Sequence, residues 1–320
     1  MPAVPPTALP SADVADAGGA ADSITVAAAG AFVAAAPAAA GGPWADARRR
    51  FLRNRAAVAS AVLLALIVLA CAVGPLLLPH AFDSADWDAM QQPPSLANGH
   101  FWGTDDAGRD LLVRALVGGR VSLVVGLLAT LCSVALGTVW GATAGYLGGA
   151  VDTVMMRIVD MMYAIPYLLI AILLVTLLGR EFYLVVLAIT AFSWMDTARV
   201  VRGQTLSLRH REFIEAARAI GVPTRLVIAR HIVPNLLGLV AIYTTVTVPT
   251  VILTESVLSF LGLGIQEPMT SWGVLVEDGV KAMDTAPWML LFPAALLSLT
   301  LYCFNFIGDG LRDALDPKDR

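Results

Sequence analysis

Long apolar runs decide what this chain can become. Ala56–Leu78, Val121–Ala144, Ile158–Leu178, Ile232–Leu253 and Trp288–Ile307 are each nearly free of charge. About 20 such residues let a helix cross a bilayer. Helices satisfy their own backbone polar groups in lipid, where water cannot. A sixth run, Phe182–Met195, is shorter and extends to about Val201, with Asp196 near the headgroups. These runs predict an all-α integral membrane protein with six transmembrane helices. Composition agrees: 58% of the residues are hydrophobic and only 14% charged, against about 25% charged in soluble domains.

Cationic residues orient the spans, because inner loops carry an excess of Lys and Arg. With the N-terminus inside, Arg48, Arg49, Arg50, Arg53, Arg55 and Arg157 are inner. So are Arg199, Arg202, Arg209, Arg211, Arg218, Arg225, Arg230, Arg312, Lys318 and Arg320. Arg109, Arg114, Arg120, Arg180 and Lys281 alone remain outside. The bias puts both termini and the loop from Asp196 to His231 in the cytoplasm.

Residues 1–43 are rich in Ala and Pro and read as a disordered tail; no Lys or Arg precedes Arg48, as a secretory signal would need. Residues 44–115 read as an N-terminal segment with the first span and an external loop. Residues 116–310 form the core transmembrane domain, and 311–320 a cytoplasmic tail. Gly137, Gly141 and Gly145 recur on one helix face, where small residues let a second helix approach closely. The cysteines Cys71, Cys132 and Cys303 sit in apolar runs and read as packing residues.

No G-x-x-x-x-G-K-[ST] phosphate loop occurs. No metal-ligand spacing is present, and the histidines His80, His100, His210 and His231 are scattered, so no metal site is expected. No catalytic residue is assigned. The most informative segment is Arg211–Asn235, REFIEAARAIGVPTRLVIARHIVPN. Phe213, Ala216, Ala217 and Ile220 fall on one helical face. Gly221 is placed to stop that helix, and Pro223 suits the first turn of the next. Such a helix fits a groove on a partner protein or lies on headgroups with its arginines outward; the local pattern leaves both open.

Glu215, Ala216, Ala217, Gly221 and Pro234 resemble the coupling motif of ATP-binding-cassette importer permeases. His231 and Val233 depart from the broad pattern, while Arg230-His231 and Pro234-Asn235 resemble its peptide-transporter branch. Gly103–Asp110, Ala144–Gly149 with Asp152 and Pro166, Glu255–Gly264 with Ser271-Trp272-Gly273, and Gly308–Asp313 with Leu315-Asp316-Pro317 are similar to the C-type permease of dipeptide, oligopeptide and nickel importers.

This resemblance, over about residues 45–320, implies a type I importer permease fold with a cytoplasmic coupling helix, in the inner membrane of a prokaryote. It implies a second, homologous permease, two ATPase subunits that bind ATP and Mg, an extracytoplasmic binding protein and surrounding lipid, with no nucleic acid and no cofactor in this chain. It implies coupling through Phe213, Glu215, Ala216, Ala217, Arg218, Ile220 and Gly221. The external loops 80–120 and 264–287 then face the binding protein, with Asp105, Arg109 and Trp272 as contacts. Asp160 and Glu255 are charges near membrane depth, either pathway or gate residues or ordinary ion pairs and caps. Peptide import is the leading expectation and nickel or metal-chelate import the second. A stand-alone channel or secondary transporter would call for inverted repeats and polar mid-span clusters, which this sequence lacks.

Overall fold

The computed structural model describes residues 43–315, so the expectations for residues 1–42 and for Asp316-Pro317 lie outside the described residues. Helix α1 (Pro43–Arg53) leads through Asn54 into the first span, α2 (Arg55–Leu77). Asn54 caps α2 by accepting the Ala57 N–H. After an outer loop with one 3₁₀ turn at Trp87–Ala89 comes α3 (Leu111–Leu147). Then follow α4 (Gly149–Tyr163), α5 (Tyr167–Leu178) and α6 (Phe182–Leu208). The inner loop holds α7 (Glu212–Ala219) and α8 (Thr224–Val227), which runs through a π-helical stretch, Ile228–Ile232, into α9 (Val233–Leu258). A second π-helical stretch, Ser259–Leu263, ends α9. Outer helix α10 (Trp272–Lys281) precedes the last span, α11 (Trp288–Leu315). No strand occurs among the described residues beyond a single bridge between Thr104 and Asp110. Inner and outer below follow the sense set by the arginine bias.

Among the described residues five helices are long and apolar enough to cross a membrane, six if the bent pair α4–α5 is counted as one span. The pair is bent by 82° at Ala164–Pro166. Pro166 lacks an N–H and disfavours helix in the residue before it, so the expected single span Ile158–Leu178 is two helices. The second span starts ten residues before Val121, at Leu111. Its charges hid this first turn, and both are neutralised. Arg114 pairs with Asp105, and Arg120 donates to the Cys71 and Ala72 carbonyls of α2, each at 3.1 Å.

Helix α3 is the central post. A Cβ on Gly137 would lie 2.5 Å from the Trp194 carbonyl of α6, and one on Gly145 2.8 Å from that of Arg202. The glycine face therefore clamps α3 to α6. Small and β-branched apolar residues of α3, α6 and α9 fill the core between them, including Val125, Ala129, Ile189 and Val251.

Candidate functional site

A cavity of about 520 Å³ opens where the α4–α5 break faces α6 and α9. Pro166 and Tyr163 come from the break, Asp196 from α6, and Tyr243, Thr247 and Thr254 from α9. The Tyr163 hydroxyl donates to the Asp196 carboxylate. The Arg199 guanidinium lies 4.3 Å over the Tyr163 ring and pairs with Asp160 at 2.9 Å. Asp160 is thus an exposed partner of Arg199, one helix away, and not of its sequence neighbour Arg157. On α9 the hydroxyls of Thr247 and Thr254 bond the carbonyls of Tyr243 and Thr250, at 2.7 and 2.9 Å, so their donors are consumed by the helix itself. The cavity is open to one side: Tyr163, Tyr167 and Val246 are 39, 51 and 51% exposed. The sequence placed Asp196 near the headgroups but read through the break at Pro166, and it could not show the pairing of Tyr163 with Asp196, since 33 residues separate them.

Glu255 does not line this cavity. It is completely buried, accepts from the Ser259 hydroxyl at 2.7 Å and from Ser122 at 3.2 Å. The Ser122 oxygen in turn accepts the Trp272 N–H at 3.1 Å. Glu255 therefore ties α9 to α3 and α10. A carboxylate buried without such donors would be costly, and three serines close on this one: Ser271 stands 3.4 Å from Ser259.

The proposed outer contacts are redistributed in the same way. Trp272 is wholly buried among Ile67, Cys71 and Leu116, with its indole N–H on the Ala115 carbonyl. Asp105 is 3% exposed, accepting from Arg114 and, at 2.8 Å, from Arg109 Nε. Both side chains hold the outer cap together from inside and present no surface. Arg109 alone reaches the rim, where its Nη1 lies 2.9 Å from the exposed Glu267.

In the inner loop, α7 splits its apolar residues between two faces. Ile214 and Ala217 are buried, and Ile214 packs with Ala142, Tyr146 and Val201. Phe213 and Ile220 are 42 and 81% exposed, and Glu215 and Ala216 are exposed beside them. Ala217 therefore belongs to the anchoring face and not to the outward one. Ile214, absent from the sequence reading, is the main anchor; its place opposite Phe213 was the available signal. Arg218 also faces the post, donating to the Tyr146 hydroxyl at 3.0 Å with its guanidinium over that ring. Gly221 ends the helix at φ +80°. Its N–H bonds the Arg218 carbonyl at 2.9 Å and the Val222 N–H bonds that of Ala217 at 3.0 Å, a Schellman stop. A Cβ here would meet no atom, so backbone conformation, not space, calls for glycine.

Known proteins match this arrangement. A family profile described as binding-protein-dependent transport system inner membrane component matches residues 137–320. A second, the N-terminal TM domain of oligopeptide transport permease C, matches residues 42–94. The oligopeptide transport system permease protein OppC of Haemophilus influenzae is 54% identical over 277 residues, 87% of this chain and 89% of the relative. That of Escherichia coli K12 is 56% identical over 87 and 92%. The dipeptide transport system permease protein DppC of Bacillus subtilis is 42% identical over 86% of each. The fold also matches the inward-facing MetNI methionine ABC transporter, with TM-score 0.52 and 18% identity, over 64% of this chain and 96% of that one.

Proposed function

We infer the work of this chain from its kinship: it belongs to the family of binding-protein-dependent transport system inner membrane components, and is a permease subunit of an ATP-binding-cassette importer, not its ATPase. We propose that its cargo is oligopeptides or dipeptides, the cargo named for its relatives. The cavity supports a carrier of varied side chains. On its α9 wall the Thr247 and Thr254 hydroxyls donate to their own helix, and such a wall offers few free donors for selecting one residue over another. Its open side fits closure by a second, homologous permease, with the cavity between the two.

The observation that carries the mechanism is the split face of α7. One face is fixed to α3 through Ile214 and Arg218, while Phe213 and Ile220 stand exposed on the other. An ATPase subunit occupying that outward face, binding ATP and Mg itself, would push on a helix whose motion passes directly into the central post. Glu215 makes a polar contact at the same surface. This is rigid-body switching between packed states, and ATP shifts it only by binding one state better. An extracytoplasmic binding protein delivers the peptide at the outer rim, near Arg109 and Glu267. The membrane is the inner membrane of a prokaryote, with both termini inside.

The test is the whole importer in lipid nanodiscs, with labelled oligopeptide uptake, ATPase activity and subunit composition measured for Gly221→Asp and Ile220→Asp. Both variants are expected to lose uptake together with ATPase association or its stimulation by loaded binding protein. Normal uptake with normal assembly would remove α7 from the coupling path.

A further inference from the structure

We propose that His80, His100 and Asp110 form a zinc site on the outer side, at the start of α3. The sequence scatters these residues; the fold gathers them. Their ligand atoms all lie within 4.8 Å of one another. His100 and Asp110 are buried, and His80 is half-buried. The two imidazoles stack with centroids 4.5 Å apart. His100 Nδ1 lies 2.9 Å from Asp110 Oδ2. His80 Nε2 is enclosed and has no hydrogen-bond partner, an open donor site beside the other two.

Two imidazoles and a carboxylate are a common zinc donor set, with water completing the tetrahedron. Donors about 2.0–2.1 Å from zinc stand roughly 3.4 Å apart in that geometry, so the widest pair would close by about 1.4 Å at most and the 2.9 Å pair of His100 and Asp110 would open slightly. Its supports are in place. Asp110 Oδ1 accepts the Val113 N–H at 2.9 Å, capping α3 and aiming the other oxygen at His100. The His100 carbonyl is clamped by the Ser95 and Gly103 N–H groups at 2.9 and 3.0 Å. Such outer partners orient ligands and raise affinity. His80 follows Pro79 just past the end of α2, so the ion would join the exit of the first span to the entry of the second. Nickel and copper accept similar donors; zinc is the choice because it tolerates a low coordination number and has no redox chemistry to impose.

The intact importer, carrying an affinity tag without histidine, is stripped with EDTA and titrated with ZnCl2 in nanodiscs. Zinc retained per complex is read by mass spectrometry. Wild type is expected to hold one zinc that His80→Gln and Asp110→Asn do not, with affinity at least about tenfold weaker in either variant. Asp110→Asn keeps an oxygen for the α3 cap, so it separates loss of metal from loss of fold. Zinc should also raise the unfolding midpoint of wild type but not of the variants. Wild type retaining no more zinc than His80→Gln, or both variants retaining the wild-type amount, would overturn the site.

Discussion

The two ends of α3 are held by different physics. At its outer end acidic groups are buried among donors: Asp105 is paired with Arg114 and Arg109, Asp110 lies 2.9 Å from the His100 imidazole, and Glu255 accepts from serines. At its inner end polar contacts lie nearer solvent. There the Arg218 guanidinium rests on Tyr146, and Arg202, about a third exposed, holds Asp152 of α4 at 2.6 Å. Apolar packing of Ile214 does the rest. Buried pairs are strong only while complete, since removing one partner strands a charge in a low-dielectric interior. The outer end is thus built as a fixed cap, and the inner end as a joint that can be loaded without breaking.

Removing the Asp105 side chain gives the largest effect this contrast predicts. Asp105→Ala leaves Arg114, only 1% exposed, without its close partner and with only Glu267, 4.0 Å away, in ion-pair range. It should cost about 3–5 kcal/mol, read as a steep fall in unfolding midpoint and in recoverable protein in detergent. An ordinary midpoint in this variant would mean that the outer cap is not held by its ions.

Next comes a pair of variants within α7. Ile214 is fully buried, so Ile214→Ala should cost about 2–5 kcal/mol. Phe213→Ala, on the outward face, should leave the midpoint within about 0.5 kcal/mol of wild type, as surface changes do, while uptake falls. Should the two variants exchange phenotypes, the assignment of the two faces is wrong. Arg218→Ala follows, at about 0.5–1 kcal/mol for an exposed cation–π contact, and loosens α7 without unfolding the bundle.

The sequence was legible where the signal is local. Apolar length identified the first span almost to the residue and the start of the last, whose helix runs eight residues past Ile307 to Leu315. Glycine spacing foretold the clamp of α3 on α6, and Gly221 the stop of α7. It was not legible where charges are neutralised from far along the chain. Arg114 and Arg120 made the first turn of α3 look like loop, because Asp105 and the α2 carbonyls that satisfy them belong to other segments. Trp272 and Asp105 looked like surface residues for a related reason: tryptophan and aspartate in a polar, glycine-rich stretch usually face water, and only the fold folds them inward. Glu255 stayed open between a pathway charge and an ordinary pair or cap, because Ser122, which closes on it, comes from a helix distant in sequence. The histidine cluster belongs to the same class, with His80 and Asp110 on opposite sides of one long loop.

The smallest effect concerns pH at the outer cap. Burial pushes the Asp278 carboxyl of α10 up from its ordinary range, against the opposing pull of Arg114 and Lys281. An acid whose pKa is raised on folding binds more protons folded than unfolded between the two values. Stability therefore declines as pH rises through that window, and is flat above the folded pKa. The Asp278 contribution is best isolated as a difference between variant and wild type. In midpoints measured across the mildly acidic range, Asp278→Asn should gain on wild type as pH rises and then run parallel to it. A variant that instead loses ground with rising pH would show that the ionised Asp278 carboxylate is stabilised by Arg114. The cap would then hold a further working ion pair, and the contrast with the inner end of α3 would be sharper still.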